Sequence, residues 1–329
     1  MLRTLNIQHR TWPLRSPFRI SRGVKLAAEV ITVELDESGC AGRGECVPYA
    51  RYGESVASVM EEMETVRDVL CAGMGRDELQ ARLPPGAARN ALDAALWDLE
   101  ARLAGVPVWT QLARPPHVPI ETALTISIES PEEMAKAASR IPNPRLLKIK
   151  VDADNPIARI EAVRDAAPSA RLIVDPNESW TIDLLREVQP ALERASVDLL
   201  EQPLRADADD GLREFSGRIP ICADEACHTI SNLQSLAGRY QAVNIKLDKT
   251  GGLTEAWRLL RDAKNHGFIV MVGCMVCSSL SIAPALEIAR EAQFVDLDGP
   301  FWLQDDYPDG ITLQNGLLIP PSPGFWGGP

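Results

Sequence analysis

The chain has 329 residues, 45% hydrophobic and 24% charged, which excludes a disordered polymer or a small disulfide scaffold and leaves a globular protein with a sizeable core. Its 34 Lys and Arg against 46 Asp and Glu give a formal charge of −12, a surface that repels nucleic acid and anionic membranes. Seven cysteines, odd in number and without a paired framework, read as reduced thiols and point to the cytoplasm.

The stretch from Met1 to Gly23 holds five arginines, two prolines and no apolar run long enough for a signal peptide. Within it, Arg15 to Gly23 reads as a loop. Val30 to Leu35 is apolar and β-branched and predicts a strand, followed by a glycine-rich turn over Gly39 to Gly44. After Gly53, Val56, Val59, Met63, Val66, Val69 and Leu70 recur at helical spacing and predict one helix. Another is predicted behind Pro84, Pro85 and Gly86, with Ala88, Leu92, Ala95, Leu96, Leu99 and Leu103 on its apolar face and Gly105 as its stop. Residues 1–115 thus read as an α+β capping domain.

From residue 120, short β-branched runs alternate with helical stretches. The runs are Thr122 to Ile128, Leu146 to Val151, Arg171 to Asn177, Val197 to Pro203, Ile219 to Glu225, Ala242 to Leu247, Phe268 to Cys274 and Phe294 to Asp298, and their ends recur at 22 to 28 residues. Eight parallel βα units over residues 116–300 predict a closed (β/α) TIM-like barrel, so the fold class is α/β with an N-terminal cap. A doubly wound open sheet is the rival, but no glycine-rich phosphate fingerprint follows the first strand. Phe268 to Leu286 runs uncharged, yet Gly273, Ser278, Ser279, Ser281 and Pro284 argue for a strand, a loop and a helix start instead of a membrane span. Residues 301–329, rich in Pro and Gly, are expected to return to the cap.

Barrel strands are buried on both faces, so charges at their ends need a reason. The second run ends in Lys148, Ile149 and Lys150, and period two sends both ammonium groups into the barrel mouth. Mutual repulsion and burial both disfavour the charged form, so a lysine with weakened hold on its proton, a general base near neutrality, is expected here. The next three runs end in Asp175 with Asn177, Glu201 before Gln202 and Pro203, and Asp224 before Glu225. Three inward carboxylates in series make a hard oxygen pocket that suits one Mg²⁺, with Mn²⁺ as a substitute. The sixth run brings Lys246, followed by Asp248. Strands two and six of eight are opposed, so Lys150 and Lys246 are expected to face each other across the cation.

A substrate carboxylate on that cation has an acidified α-carbon, with Lys148 helping to stabilise the developing charge. Opposed lysines then give racemisation or epimerisation, or elimination where a leaving group departs. Cys274 and Cys277 form a CxxC without a second pair and read as small buried residues.

Together these residues resemble the enolase superfamily in its muconate-lactonizing subgroup. The segments Gly44 to Cys46, Tyr49 to Ser55, Ile221 to His228, Asn244 to Thr254, Gly273 to Cys277 and Asp296 to Gly299 are similar to those of the bacterial L-Ala-D/L-Glu dipeptide epimerases. The resemblance implies a Mg²⁺-dependent isomerase of cell-wall peptide metabolism that inverts the glutamate α-carbon by two-base 1,1-proton transfer through an enediolate. It makes Lys150 and Lys246 the acid/base pair, Lys148 the electrostatic helper, and Asp175, Glu201 and Asp224 the metal ligands. Asn177, Glu225 and Asp248 support them from behind.

It further implies that Asp296 and Asp298 receive the dipeptide's ammonium and that Arg22, with Arg19 as competitor, meets the glutamate side chain. Thr125, Ser127, Cys274 and Met275 line the pocket, and Arg15 to Gly23 and Tyr49 to Gly53 act as a lid. The partner is a small dipeptide, with neither nucleic acid nor membrane, and a homo-oligomer is compatible with this reading. N-acylamino acid racemase, o-succinylbenzoate synthase and muconate cycloisomerase are the alternatives on the same barrel. Their substrates lack the ammonium that two acids would favour. A catalytically silent dipeptide-binding barrel is a third reading, against which the two opposed lysines argue.

Overall fold

The structure is a computed structural model and describes residues 3–328. It opens on an antiparallel sheet of β1 (Thr4–Ile20), β2 (Gly23–Glu37) and β3 (Cys40–Cys46). Period two divides the side chains of β2: Ile31, Val33 and Leu35 join the core of the cap, while Ala28 and Val30 join that of the barrel. β3 lies on the helix Ala87–Ala104. A Cβ on Gly42 would sit 2.2 Å from the carbonyl oxygen of Ala95, and one on Gly44 2.1 Å from that of Ala91, so glycine is what permits the approach. The helix stops at Gly105, whose left-handed φ of 64° turns its N–H back onto Ala101 and Arg102.

Three sequence expectations change in the cap. Arg15 to Ile20 belongs to β1, across a register shift between Pro13 and Phe18, and only a tight turn at Ser21 and Arg22 separates it from β2. The helix after Gly53 is two helices, Val56–Glu64 and Arg67–Cys71, because the Thr65 hydroxyl donates back to Glu62 O and Val66 leaves helical geometry. Leu103, assigned to the apolar face, is exposed in the last turn.

Eight parallel strands follow: Leu124–Ile126, Leu146–Lys150, Arg171–Asp175, Leu199–Glu201, Ile221–Ala223, Ala242–Ile245, Ile269–Gly273 and Phe294–Asp296. Each pairs with its sequence neighbour. The Ala123 N–H donates to Val295 O at 2.7 Å and joins the last strand to the first, which rules out the open sheet. One inward residue from each unit, Ala123, Leu146, Ile173, Leu199, Cys222, Ala242, Met271 and Phe294, packs into a separate apolar cluster that plugs the barrel. The uncharged stretch forms the seventh strand and the buried helix Ser279–Ala289. No helix among the described residues is long and apolar enough to cross a membrane.

After the barrel, Thr312–Gln314 and Leu317–Ile319 form a hairpin on Ile120–Glu121. The chain then touches the cap: Trp326 Nε1 donates to Arg43 O at 3.0 Å, and the Gly327 N–H to Asp98 Oδ1 at 2.7 Å.

Candidate active site

The plug fixes what lies above it. Side chains alternate along a strand, so the next inward position on every unit is two residues later: Thr125, Lys148, Asp175, Glu201, Asp224, Asn244, Gly273 and Asp296. One more step reaches Lys150, Asn177, Lys246, Met275 and Asp298. An apolar floor thus carries two polar layers, and the cavity above is lined by Thr125, Lys148, Lys150, Asp224, Lys246 and Asp296, among others. Gly273 belongs to this pattern, because a Cβ there would meet Asn244 Oδ1 at 2.8 Å, and Asn244 Nδ2 donates to Glu201 Oε1 at 2.9 Å.

Lys148 Nζ lies 3.1 Å from Asp175 Oδ2, 2.7 Å from Glu201 Oε2 and 2.8 Å from Asp296 Oδ2. Lys150 Nζ donates to Asp175 Oδ2 at 2.5 Å. Lys246 Nζ donates to Asp224 Oδ2 at 2.7 Å and sits 4.0 Å from Glu201 Oε1.

This overturns the expected weakening of lysine proton affinity at Lys148. Burial does act that way, but Asp296, Glu201 and Asp175 outweigh it and raise Lys148, and Asp224 and Glu201 likewise raise Lys246. The same contacts act on the acids. Burial opposes ionisation of Asp175 and Asp224, yet the lysines hold both below the usual carboxylate range. Burial and the Asp175 charge push Glu201 up to about 7.

Among the described residues no group of acids and histidines forms a ready-made metal cage, since ammonium groups lie between the carboxylates. The donor set nevertheless fits a hard cation. Asp175 and Glu201 share Lys148, and Glu201 and Asp224 share Lys246, so oxygens of three successive strands reach one small space. Asn177 donates through N and Nδ2 to the two Asp175 oxygens, at 2.8 and 3.2 Å, while its own buried Oδ1 has no hydrogen-bond partner among the described residues.

Asp296 and Asp298 both line the cavity. Asp296 Oδ1 has no hydrogen-bond partner among the described residues. Asp298 Oδ2 accepts from Thr125 N at 2.7 Å and Trp302 Nε1 at 3.3 Å, and burial next to Asp296 pushes its carboxyl up to about 6. Arg22 lines the cavity with its guanidinium engaged by Glu225 at 2.7 Å, Glu178 at 3.2 Å and the Tyr49 hydroxyl at 2.9 Å. Arg19 lies outside the wall, 3.7 Å from Glu129. Asp248 does not touch the candidate ligands: its Oδ1 accepts from Val47 N at 3.0 Å and Asn90 Nδ2 at 2.9 Å, both in the cap.

Two lysines escaped the sequence reading. Lys249, fully buried, donates to Asp224 Oδ1 at 2.6 Å, Asp224 O at 2.5 Å and Asn244 O at 2.9 Å. Strand period does not reach it. The turn Leu247–Thr250 carries it back under the sixth strand, and only the glycine pair Gly251 and Gly252 signals that turn in sequence. Lys25, on β2, lines the cavity 5.0 Å from the Tyr49 ring centre and makes no ion pair or hydrogen bond among the described residues. Burial and the Arg22 charge weaken its hold on its proton.

Residues 132–325 match the enolase C-terminal domain-like family, and residues 2–112 the N-terminal domain of mandelate racemase / muconate lactonizing enzyme. The chain is 47% identical to the L-Ala-D/L-Glu epimerase of Escherichia coli (strain K12), over 96% of this chain and 99% of that one. It is 43% identical to an N-acetyl-D-glutamate racemase of Pseudoalteromonas sp, over 91% and 95%. An enolase family member of Agrobacterium tumefaciens with homology to dipeptide epimerases, solved with sodium and L-Ala-L-Glu, superposes with a TM-score of 0.97 at 43% identity, covering 99% of this chain and 100% of that one. Cap, barrel and relatives agree, and the chain belongs to the enolase superfamily, in its mandelate racemase / muconate lactonizing enzyme family.

Proposed function

We propose that the protein is a dipeptide epimerase, an isomerase that inverts the α-carbon of the second residue in L-Ala-D/L-Glu-type dipeptides with Mg²⁺ as cofactor. The observation that carries this reading is the pair Lys150 and Lys246, each ion-paired to a different candidate ligand, Asp175 and Asp224, at the mouth of one cavity. Asp175, Glu201 and Asp224 would hold the cation. Bound there, it would polarise the substrate carboxylate and take over the carboxylate charge that otherwise pairs with Lys150 and Lys246.

One lysine takes the α-proton and the other returns one to the opposite face, which inverts the carbon and leaves the two ammonium roles exchanged. Lys148, fixed between Asp175, Glu201 and Asp296, stays charged and stabilises the enolised intermediate. Asp296, with its spare oxygen, and Asp298 receive the ammonium of the first residue. Lys25, beside Arg22, offers its unpaired charge to the acidic side chain of the second.

The 43% identical relative that acts on N-acetyl-D-glutamate supports a second reading, racemisation of an N-acylglutamate, which shares the glutamate half and lacks the ammonium. Proton NMR in deuterated water with Mg²⁺ separates them. L-Ala-L-Glu is expected to lose its glutamate α-proton and give the L,D diastereomer, and a chelator is expected to stop both. Faster exchange of N-acetylglutamate than of the dipeptide would transfer the assignment to the second reading.

A further inference from the structure

The cap roofs the cavity above the two polar layers of the barrel, so a dipeptide bound on those layers would lie beneath it. Two cap segments form that roof: the end of the β1–β2 hairpin, which contributes Phe18, Ile20 and Arg22, and the turn Ala50–Tyr52 behind Tyr49. Both converge on one barrel carboxylate.

Glu178 follows Asp175 by three residues, and it and Asn177 adopt left-handed backbone, at φ 66° and 46°, a conformation that costs energy in any residue but glycine. The turn lifts the Glu178 side chain out of the barrel to meet the roof. Its Oε1 accepts from Arg51 Nη2 at 2.7 Å and the Ala206 N–H at 2.9 Å. Its Oε2 accepts from Arg51 Nε at 2.7 Å and Arg22 Nη1 at 3.2 Å. Arg51 makes no ion pair other than that with Glu178 among the described residues, while Arg22 also pairs with Glu225 at 2.7 Å and donates to the Tyr49 hydroxyl at 2.9 Å and to Asn177 O at 3.0 Å. A forked arginine–carboxylate pair is directional and strong, yet both guanidinium groups are partly open to water, at 34% and 26% exposure, so the pairing can exchange with solvent where a packed apolar lock could not.

We infer that Glu178 is a positioning residue that latches the lid, holding the hairpin end through Arg22 and the Ala50–Tyr52 turn through Arg51, and that its release admits the dipeptide. The kinetic part rests on the dipeptide reading; the structural part does not. The latch also ties lid closure to the cation site, since the same three-residue turn holds Asn177 against both oxygens of Asp175.

The test is amide hydrogen exchange on the whole protein without substrate, for wild type, Glu178→Gln and Arg51→Gln. Glu178→Gln keeps the shape and removes the charge, and both segments, 18–26 and 49–53, are expected to exchange faster, by on the order of tenfold. Arg51→Gln is expected to free residues 49–53 alone. With L-Ala-L-Glu, Glu178→Gln is expected to raise KM roughly tenfold while kcat does not fall, because the lid holds substrate and does no chemistry.

Unchanged exchange in either segment of Glu178→Gln, or a fall in kcat at constant KM, would overturn the latch. Should Glu178→Gln not fold, Arg51→Gln decides alone: unchanged exchange over 49–53 overturns the latch, and faster exchange with a raised KM supports it. A wild type inactive on the dipeptide but showing the exchange pattern would sink the substrate assignment and keep the latch.

Discussion

At the scale of single residues the site is a question of which charge neutralises which. Among the described residues Lys246 pairs with two carboxylates, Asp224 at 2.7 Å and Glu201 at 4.0 Å. If it serves one face of the α-carbon, Lys246→Ala is expected to lower epimerisation at least about a thousandfold. Exchange of one epimer's α-proton into deuterated water should persist through Lys150. Retention of full epimerase activity would remove the two-base mechanism. Lys25 allows a second prediction. Among the described residues no acid engages it, so Lys25→Met is expected to raise KM for L-Ala-L-Glu about tenfold and leave L-Ala-L-Met unaffected. An equal effect on both substrates would show that Lys25 serves the lid.

At the scale of elements, the sequence already exposes the barrel, because period two along each strand reports side-chain direction without reference to any partner. Lys148 and Lys150 on the second strand, and Asp175, Glu201 and Asp224 on the next three, could be read inward from spacing alone, and the plug residues two positions earlier explain why. Lys249 and Glu178 could not. One returns through a helical turn and the other through left-handed backbone, and neither geometry has a periodic signature. The sign of the Lys148 shift escapes spacing for a related reason: spacing shows the lysine neighbour on the same strand but not the acids that other strands bring within 3.1 Å. The contact of β3 with the helix Ala87–Ala104 yields a stability prediction. Gly44→Ala would place a methyl 2.1 Å from the Ala91 carbonyl, a backbone atom that cannot rotate away. It is expected to cost roughly 3 kcal/mol in urea unfolding. A loss within experimental error would mean that the helix can shift from the sheet.

At the scale of the molecule, cap and barrel are stitched by buried carboxylates. Glu45 of β3 accepts from the Ser278 N–H at 2.9 Å and hydroxyl at 2.7 Å, Asp93 of the cap helix accepts from the Thr254 N–H at 3.0 Å and hydroxyl at 2.6 Å, and Asp248 reaches back to Val47 and Asn90. Burial dominates in all three and pushes Glu45 and Asp248 up to about 7 and Asp93 up to about 6. Each binds its proton more tightly in the folded chain than in the unfolded one. Between about pH 4 and about pH 7 the folded state therefore holds more protons, and these groups make stability fall as pH rises. Asp248→Asn, which cannot ionise, is expected to flatten that fall by on the order of 2 kcal/mol, read from urea unfolding at both ends of the window. An unchanged slope would mean that Asp248 titrates as it does in the unfolded chain.

The same stitches set the terms for re-engineering. A foreign cap grafted onto this barrel to change its substrate has to bring counterparts of Glu45, Asn90 and Asp93, because Ser278, Asp248 and Thr254 would otherwise face it without their partners. Compatibility of interchangeable halves is thus written in three polar contacts that take no part in the chemistry.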